Sequence, residues 1–449
     1  MSTTETLTKL FDIEGCKLET YQTEEKDGVE YTVLNWKYDG EEPTVCPECG
    51  AKLYKHTAQK LNITDTPMLG KPLKCVVTIP RKRCSECNYL WRASLPGIDE
   101  KHKLTKRAYE NIAEKALRQV FQDVGDEYLL ANNTIKNIMI DFLEERRNQL
   151  RFKTPIFLGI DEIKLGKLGE VTVITDLEHH TIYDLLHGRN QEKLIEYFKD
   201  MPGRENVLWV CSDMYRPFEK TIGTTMPNAK WVIDHFHVVM KANEAVDDVR
   251  KTIQSKMSKK DRIKTKKGLS YALRTRAKDL TPYDASKIRS ARSDKELAPI
   301  AIAFDLKEDF FNIYDENPTS VDDAKKAFAK WEASIPADSI YEKFRELANT
   351  VHNNYDQIFR YWECPVAISN GYTECANRLI RENNVKGRGY SFEILRGRTL
   401  YRNSNIKKIE ESGMMLGPII PDHGPIFHYE AADSDESYDI DLETGEILE

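Results

Sequence analysis

The sequence predicts a multidomain α/β protein with an N-terminal zinc ribbon, a helix-turn-helix, and a mixed sheet interrupted by a helical insertion. Three observations predict it. Two Cys-x-x-Cys pairs stand near the N-terminus, three apolar runs between residues 156 and 234 each end on an aspartate, and the stretch from 238 to about 362 carries helical patterns alone.

Composition sets the limits. The 449 residues are 40% hydrophobic and 31% charged, an ordinary globular balance with room for about two to four domains. No apolar run approaches the ~18 residues of a membrane span, and Met1-Ser2-Thr3-Thr4-Glu5-Thr6 lacks the basic start of a signal peptide, so a cytoplasmic protein without a membrane partner is expected. The net charge of −7 hides segregation: residues 430–449 hold nine acids and no Lys or Arg, which leaves +2 for the rest. Within that remainder, 250–267 holds nine basic residues against one acid, and 378–408 nine against two. Such runs are either solvated faces or the footprint of a polyanion.

The first domain spans 1–98. Cys46-Pro47-Glu48-Cys49-Gly50 and Cys84-Ser85-Glu86-Cys87-Asn88 are knuckles in which a tight turn aims two sulfurs at one ion, and two knuckles complete a tetrahedral Zn²⁺ site. The 34 residues between them leave room for a hairpin through Lys74-Cys75-Val76-Val77-Thr78-Ile79. Free thiols or a redox pair are the alternative. Cys75 falls inside a strand pattern and is expected in the core, and four thiolates leave no open position for chemistry.

Residues 99–150 form the second domain. Helical periodicity over 104–119, a shorter helix over 121–129, and a third from Asn132 or Asn133 as cap to 147 give a helix-turn-helix outline. Asn133, Thr134 and Lys136, at the start of the third helix, would then meet double-stranded DNA. An ordinary trihelical bundle is the alternative.

A sheet follows over 151–240. Ile156-Phe157-Leu158-Gly159-Ile160-Asp161 and Val207-Leu208-Trp209-Val210-Cys211-Ser212-Asp213 suit central strands, and a crossover helix over 191–200 lets them lie parallel. Between them, 170–176 and 181–185 read as a hairpin about Glu178-His179-His180. Asp161 and Asp213 would sit side by side at the carboxyl ends of neighbouring strands, either as a Mg²⁺ or Mn²⁺ site or as simple caps. A third run ends on Asp234-His235-Phe236-His237; Asp234 and His237 are read as lying near the site or in packing rather than as ligands.

The helical insertion covers 241–364, and 365–412 completes the sheet domain. There Ser369 or Asn370 caps a helix on which Glu374, Asn377, Arg378 and Arg381 share a face. Either Glu374 and Arg378 form a surface ion pair, or Glu374 completes the metal site while Asn377, Arg378 and Arg381 hold a phosphate backbone. In Lys386-Gly387-Arg388-Gly389-Tyr390 the glycines would let the chain approach a polyanion beside Lys386 and Arg388. Residues 413–449 form an acidic tail expected to be loosely ordered.

Taken as a set, Gly159-Ile160-Asp161-Glu162, Ser212-Asp213, Asp234-His235-Phe236-His237 and Ser369-Asn370-Gly371 with Glu374 and Asn377 resemble the DDE transposases of bacterial insertion sequences, specifically the ISL-three group. The resemblance covers about 40–410. It implies a ribonuclease-H-like catalytic domain, Asp161, Asp213 and Glu374 as the acidic triad holding Mg²⁺ or Mn²⁺, Cys46, Cys49, Cys84 and Cys87 as zinc ligands, and cleavage and joining of DNA. The partners implied are the element's terminal repeats and target DNA, bound by a homodimer or higher assembly. Cys375 stands where the group commonly has glycine. A metal-dependent nuclease without strand transfer, and a regulator with an inactive catalytic domain, are the competing readings.

Overall fold

The computed structural model describes residues 8–9, 11–316, 320–387 and 389–416, without the side chains of 260, 261 and 263–268. Arg388 and the acidic run after 416 lie outside the described residues, as do the side chains of Lys260, Lys264, Lys266 and Lys267 in the basic run 250–267. The chain forms two compact units: residues up to Arg151 with Asn384–Ser404, and Phe152–Asn383 with Asn405–Leu416.

The first unit is built on a seven-stranded sheet. Its strands are β1 (Cys16–Lys26), β2 (Val29–Tyr38), β3 (Leu53–Met68), β4 (Lys71–Cys84), β5 (Leu90–Arg92), β6 (Ile98–Asp99) and β7 (Leu104–Thr105), in the order β1-β2-β4-β3-β7-β6 with β5 on β4. The expected hairpin between the two knuckles is β3–β4. Alternation along β4 buries Leu73, Cys75, Val77 and Ile79, so Cys75 is a core residue. β1 and β2 pair as an antiparallel hairpin from Cys16 opposite Tyr38 to Lys26 opposite Val29. Its turn, Asp27-Gly28, has φ values of 55° and 79°, the left-handed pair that a two-residue hairpin turn demands.

Three helices follow: α1 (Lys106–Ala116), α2 (Phe121–Tyr128) and α3 (Asn132–Gln149). They close over one apolar cluster containing Ala108, Ile112, Val124, Ile135, Ile138 and Phe142. Thr105 caps α1, and buried Asp65 at the end of β3 accepts from Thr105 Oγ1 (2.6 Å) and Arg107 Nε (2.8 Å), which ties the helices to the sheet. Helix α3 is capped by neither asparagine; it starts at Asn132 after Ala131, with no side-chain cap.

The second unit carries a five-stranded mixed sheet of β8 (Phe157–Lys164), β9 (Glu170–Asp176), β10 (Thr181–His187), β11 (Trp209–Ser212) and β12 (Lys230–Ile233), ordered β10-β9-β8-β11-β12. β8, β9 and β10 run antiparallel in turn, whereas β11 is parallel to both β8 and β12. Helix α4 (Gln191–Lys199) makes the expected crossover and α5 (Arg216–Thr225) leads to β12. Long apolar runs thus became central strands, as their lack of a polar face requires.

The insertion comprises α6 (His235–Ser255), α7 (Lys259–Arg274), α8 (Pro282–Ser293), α9 (Ala298–Glu316), α10 (Val321–Ala333), α11 (Glu342–Asn353) and α12 (Tyr355–Phe359). Among the described residues its main core is continuous with that of the sheet. Val238, Val246, Phe304 and Phe310 belong to the same cluster as Leu158, Ile160, Val210 and Ile233, because the apolar face of α6 continues straight on from β12. A boundary at 240 therefore falls inside a helix.

Helix α13 (Gly371–Lys386) returns to the sheet, and α14 (Phe392–Leu400) and α15 (Asn403–Glu411) follow. Residues 384–404, expected as part of the catalytic domain, pack in the first unit. The reason is Arg398, only 2% exposed, whose guanidinium donates to the carbonyls of Ala116 and Gln119 and satisfies the end of α1. A Cβ at Gly387 would fall 2.0 Å from the Tyr390 ring, and Tyr390 packs on Phe121 with ring centroids 5.2 Å apart. The Gly387 position is set by that packing.

Candidate active site and metal centres

At the first centre, each knuckle is followed by a left-handed residue, Gly50 at φ 72° and Asn88 at φ 61°, which turns the chain back toward the cysteines. Gly50 N then donates to Cys46 O (2.9 Å), Cys46 N to Ala51 O (2.7 Å) and Cys84 N to Tyr89 O (2.9 Å). The sulfurs of Cys46 and Cys87 lie 3.5 Å apart, as do those of Cys49 and Cys84, and all four fall within 4.8 Å of one another. A tetrahedral zinc with bonds of about 2.3 Å holds its sulfurs about 3.8 Å apart, so the four thiols fit that ion. The backbone N–H groups of Cys87 and Glu86 draw the Cys84 thiol down to about 7, whereas burial and the neighbouring sulfurs push Cys87 up to about 12 and the neighbouring sulfurs raise Cys49, as four crowded thiols would.

The second centre lies at the carboxyl ends of three parallel strands. Cys211 pairs with Gly159 and Ser212 with Ile233, so Asp161, Asp213 and Asp234 emerge in register across β8, β11 and β12. β8 does not stop at Asp161; its antiparallel partner β9 carries it on to Lys164, with Val173 opposite Asp161. Asp213 accepts from Tyr215 N (3.0 Å), and Asp234 caps α6 by accepting from Phe236 N (3.4 Å).

Helix α13 is fastened to this sheet by three rungs at helical spacing. Asn370 Nδ2 donates to Ile160 O (3.1 Å), Thr373 Oγ1 meets Thr175 Oγ1 (2.6 Å), and Asn377 Nδ2 donates to Asp161 Oδ2 (2.6 Å). Gly159 makes the approach possible, since a Cβ there would stand 2.4 Å from both threonine hydroxyls. Sequence reading missed this role: Ser369-Asn370-Gly371 was legible only as a cap. Ser369 does accept from Gly371 N (3.2 Å), but the Asn370 side chain is spent on β8.

Asn377 corrects an expectation. It is 3% exposed and orients Asp161, so it is not free to hold a phosphate; the helix face expected to be uniform is split, with Asn377 against the sheet and Arg378 and Arg381 outward. Lys386 is exposed as well. In the first unit Asn133 and Lys136 are exposed and Thr134 half-buried. Farther along α3, Asp141, Glu144 and Glu145 line a cleft of about 1040 Å³, which leaves the start of the helix as its part free of acidic side chains.

The carboxyls of the second centre share one field. Burial raises that of Asp161, and the charge of Asp213 adds to it, against the Glu162 N–H, His237 and Asn377. Burial likewise raises Glu374, with Asp234 and then Asp161 adding to it, while His237 and Arg378 oppose. Arg378 acts on Glu374 through its charge and not through a hydrogen bond. Glu162 is pushed up to about 7 by burial, although Arg189 Nη1 lies 3.3 Å from it. Acids gathered and desolvated in this way are the donor set a divalent cation stabilises. Asp176, by contrast, is occupied in its turn, accepting from the N–H groups of Glu178 and His179.

Residues 158–399 match the family model described as transposase, of the ISL3 DDE group, over more than half of the chain. The chain belongs to the ISL3 transposase family. Residues 42–87 of this family member match the zinc finger of transposases IS204, IS1001, IS1096 and IS1165, a stretch that contains all four clustered cysteines. The chain is similar to the transposase for insertion sequence element IS1001 of Bordetella parapertussis, 24% identical over 224 residues. That stretch is 49% of this chain and 55% of the relative, so the chain spans about half the length of the curated relative it matches. The ISL3 match runs from β8 through α14 and includes Asp161, Asp213 and Glu374. No described helix is long and apolar enough to cross a membrane.

Proposed function

We propose that this ISL3-family chain is a transposase that binds insertion-sequence ends and performs Mg²⁺-dependent cleavage and strand transfer through Asp161, Asp213 and Glu374. The observation that carries the reading is the fastening of α13 to β8, which brings an acid from residue 374 into the field of Asp161. Asp161, Asp213 and Glu374 would hold Mg²⁺ or Mn²⁺. Bound there, such ions activate an attacking hydroxyl and stabilise the leaving oxygen of an in-line phosphoryl displacement.

The chain's own residues supply the rest. Asn377 holds one oxygen of Asp161 and so fixes where the other points. Arg378 and Arg381, exposed on the same helix, meet the phosphates flanking the cut. The ribbon and the helix-turn-helix, through Asn133, Thr134 and Lys136, read the terminal repeat. Water as nucleophile frees a 3′-hydroxyl, and that hydroxyl then attacks target DNA at the same acids. Joining two ends requires at least a dimer on DNA.

The test is a labelled terminal duplex incubated with Mg²⁺ and a target plasmid. Glu374→Gln is expected to bind the duplex and neither cut nor join it. Folded Glu374→Gln with wild-type activity sinks the triad, and cutting without joining by the wild type points to a nuclease.

A further inference from the structure

Asp234, His237 and Glu374 each offer a donor atom within 4.8 Å of the other two. Asp161, Asp213 and Glu374 form no group that tight among the described residues. Asp234 is wholly buried, and its two oxygens differ. Oδ1 caps α6 and lies 3.5 Å from His235 Nδ1, whereas Oδ2 is buried with no hydrogen-bond partner. The Nε2 atom of His237 is also buried and unpartnered. His235 points its ring elsewhere, packing on Tyr314 and Tyr361 with centroids 5.6 and 5.3 Å away. No Lys or Arg nitrogen comes within 4.0 Å of Asp234 among the described residues.

Buried polar atoms are nearly always satisfied, and a buried carboxylate calls for a cation or a donor. Here an orphan oxygen and an orphan ring nitrogen stand beside a third acid, on two helices that both start at the sheet edge. A hydrogen bond from His237 to Asp234 would satisfy one pair and leave Glu374 facing a carboxylate; a shared cation satisfies all three donors.

We infer that Asp234 and His237, together with Glu374, ligate one divalent cation through a mixed set of two carboxylates and an imidazole. The inference rests on the reading of Glu374 as a metal ligand and adds two residues to it. The nitrogen donor has a consequence for the ion. Mg²⁺ takes oxygen ligands almost exclusively, while first-row transition ions accept imidazole, so this position favours Mn²⁺ or a later ion over Mg²⁺.

Mn²⁺ titrated into the full-length, zinc-loaded protein tests this, with binding and the ¹⁴N spin-echo modulation of coordinated imidazole read by electron paramagnetic resonance. The wild type is expected to show nitrogen modulation. His237→Gln should abolish it and weaken Mn²⁺ binding by about tenfold or more, with a smaller loss for Mg²⁺. Asp234→Asn should weaken both ions, with folding of each variant followed by circular dichroism. Mn²⁺ bound by the wild type without nitrogen modulation overturns the inference with no variant needed, and so does modulation that survives in His237→Gln. If that Mn²⁺ is still weakened by Asp213→Asn and Glu374→Gln, the triad stands alone. A wild type that binds no Mn²⁺ overturns both readings.

Discussion

The two centres gather their donors in opposite ways. In the first unit, each Cys-x-x-Cys turn delivers two sulfurs by local backbone geometry, and one long hairpin brings the two turns together. In the second, acids in register across β8, β11 and β12 are approached by a helix that returns only after the whole insertion and brings Glu374 beside Asp234, and that approach depends on a missing Cβ at Gly159. The cysteine site is closed and suits a structural ion. The acidic site holds carboxyls raised by burial and buried polar atoms without partners.

Breaking the closed centre should have the largest effect. Cys46→Ser or Cys84→Ser is expected to lose zinc and unfold the ribbon, because binding free energy on the order of 10 kcal/mol is also folding free energy there. Elemental analysis with limited proteolysis checks it, and residues of the second unit should stay protected. A variant that keeps its zinc, or loses it and stays folded, removes the contrast.

The open centre should lose chemistry instead of structure. Asp161→Asn, Asp213→Asn and Glu374→Gln should each lower cleavage by about a hundredfold to a thousandfold or more while retaining end binding, since each removes charge from the reacting centre. Gel shift and strand cleavage measured on one preparation separate the two.

Between these lies the contact that assembles the acids. Gly159→Ala forces a methyl group to 2.4 Å from the hydroxyls of Thr175 and Thr373, and overpacking of this kind costs about 1–3 kcal/mol. Asn377→Ala removes one hydrogen bond to Asp161 and should cost about 1 kcal/mol of stability, yet lower activity more than that loss of folded protein accounts for. Equal losses of activity and folded fraction would reduce Asn377 to a packing residue.

The smallest expected effect is a difference in sign with pH. Burial holds Lys74 down at about 8, under carbonyls of Tyr128 and Leu129, so the unfolded chain binds the extra proton between pH 8 and 10.5 and the first unit gains stability as pH rises through that window. In the second unit Glu162 is raised to about 7, so the folded state binds the extra proton above 4.5 and stability falls as pH rises toward 7. Denaturation of zinc-loaded protein without Mg²⁺ across pH, with Lys74→Met and Glu162→Gln as controls, should show two opposite slopes. Mg²⁺ should flatten the second alone.

Much of this was legible in the chain because local rules govern it. The knuckles, the hairpin between them, the parallel pair of aspartate strands and the helical insertion follow from spacing and periodicity. The β1–β2 hairpin was legible too, since Asp27-Gly28 is a hairpin turn signal, but the polar residues of β1 obscure it. Asn377 was misread because an amide on a helix looks like a surface group, and Arg398 was only one cation in a basic run; the fold shows the first holding Asp161 and the second capping α1.

By itself, then, the sequence determined the donors: four cysteines at knuckle spacing and acids that follow apolar runs, because turn geometry and strand burial act over a few residues. Tertiary structure alone decided which acids meet. The register of β8, β11 and β12 aligns three aspartates, and the approach of α13 across Gly159 brings Glu374 beside one of them, Asp234, and His237. Contacts across such distances depend on complementary surfaces packed at close range, and no local pattern in the chain encodes the gap that a glycine leaves for a helix.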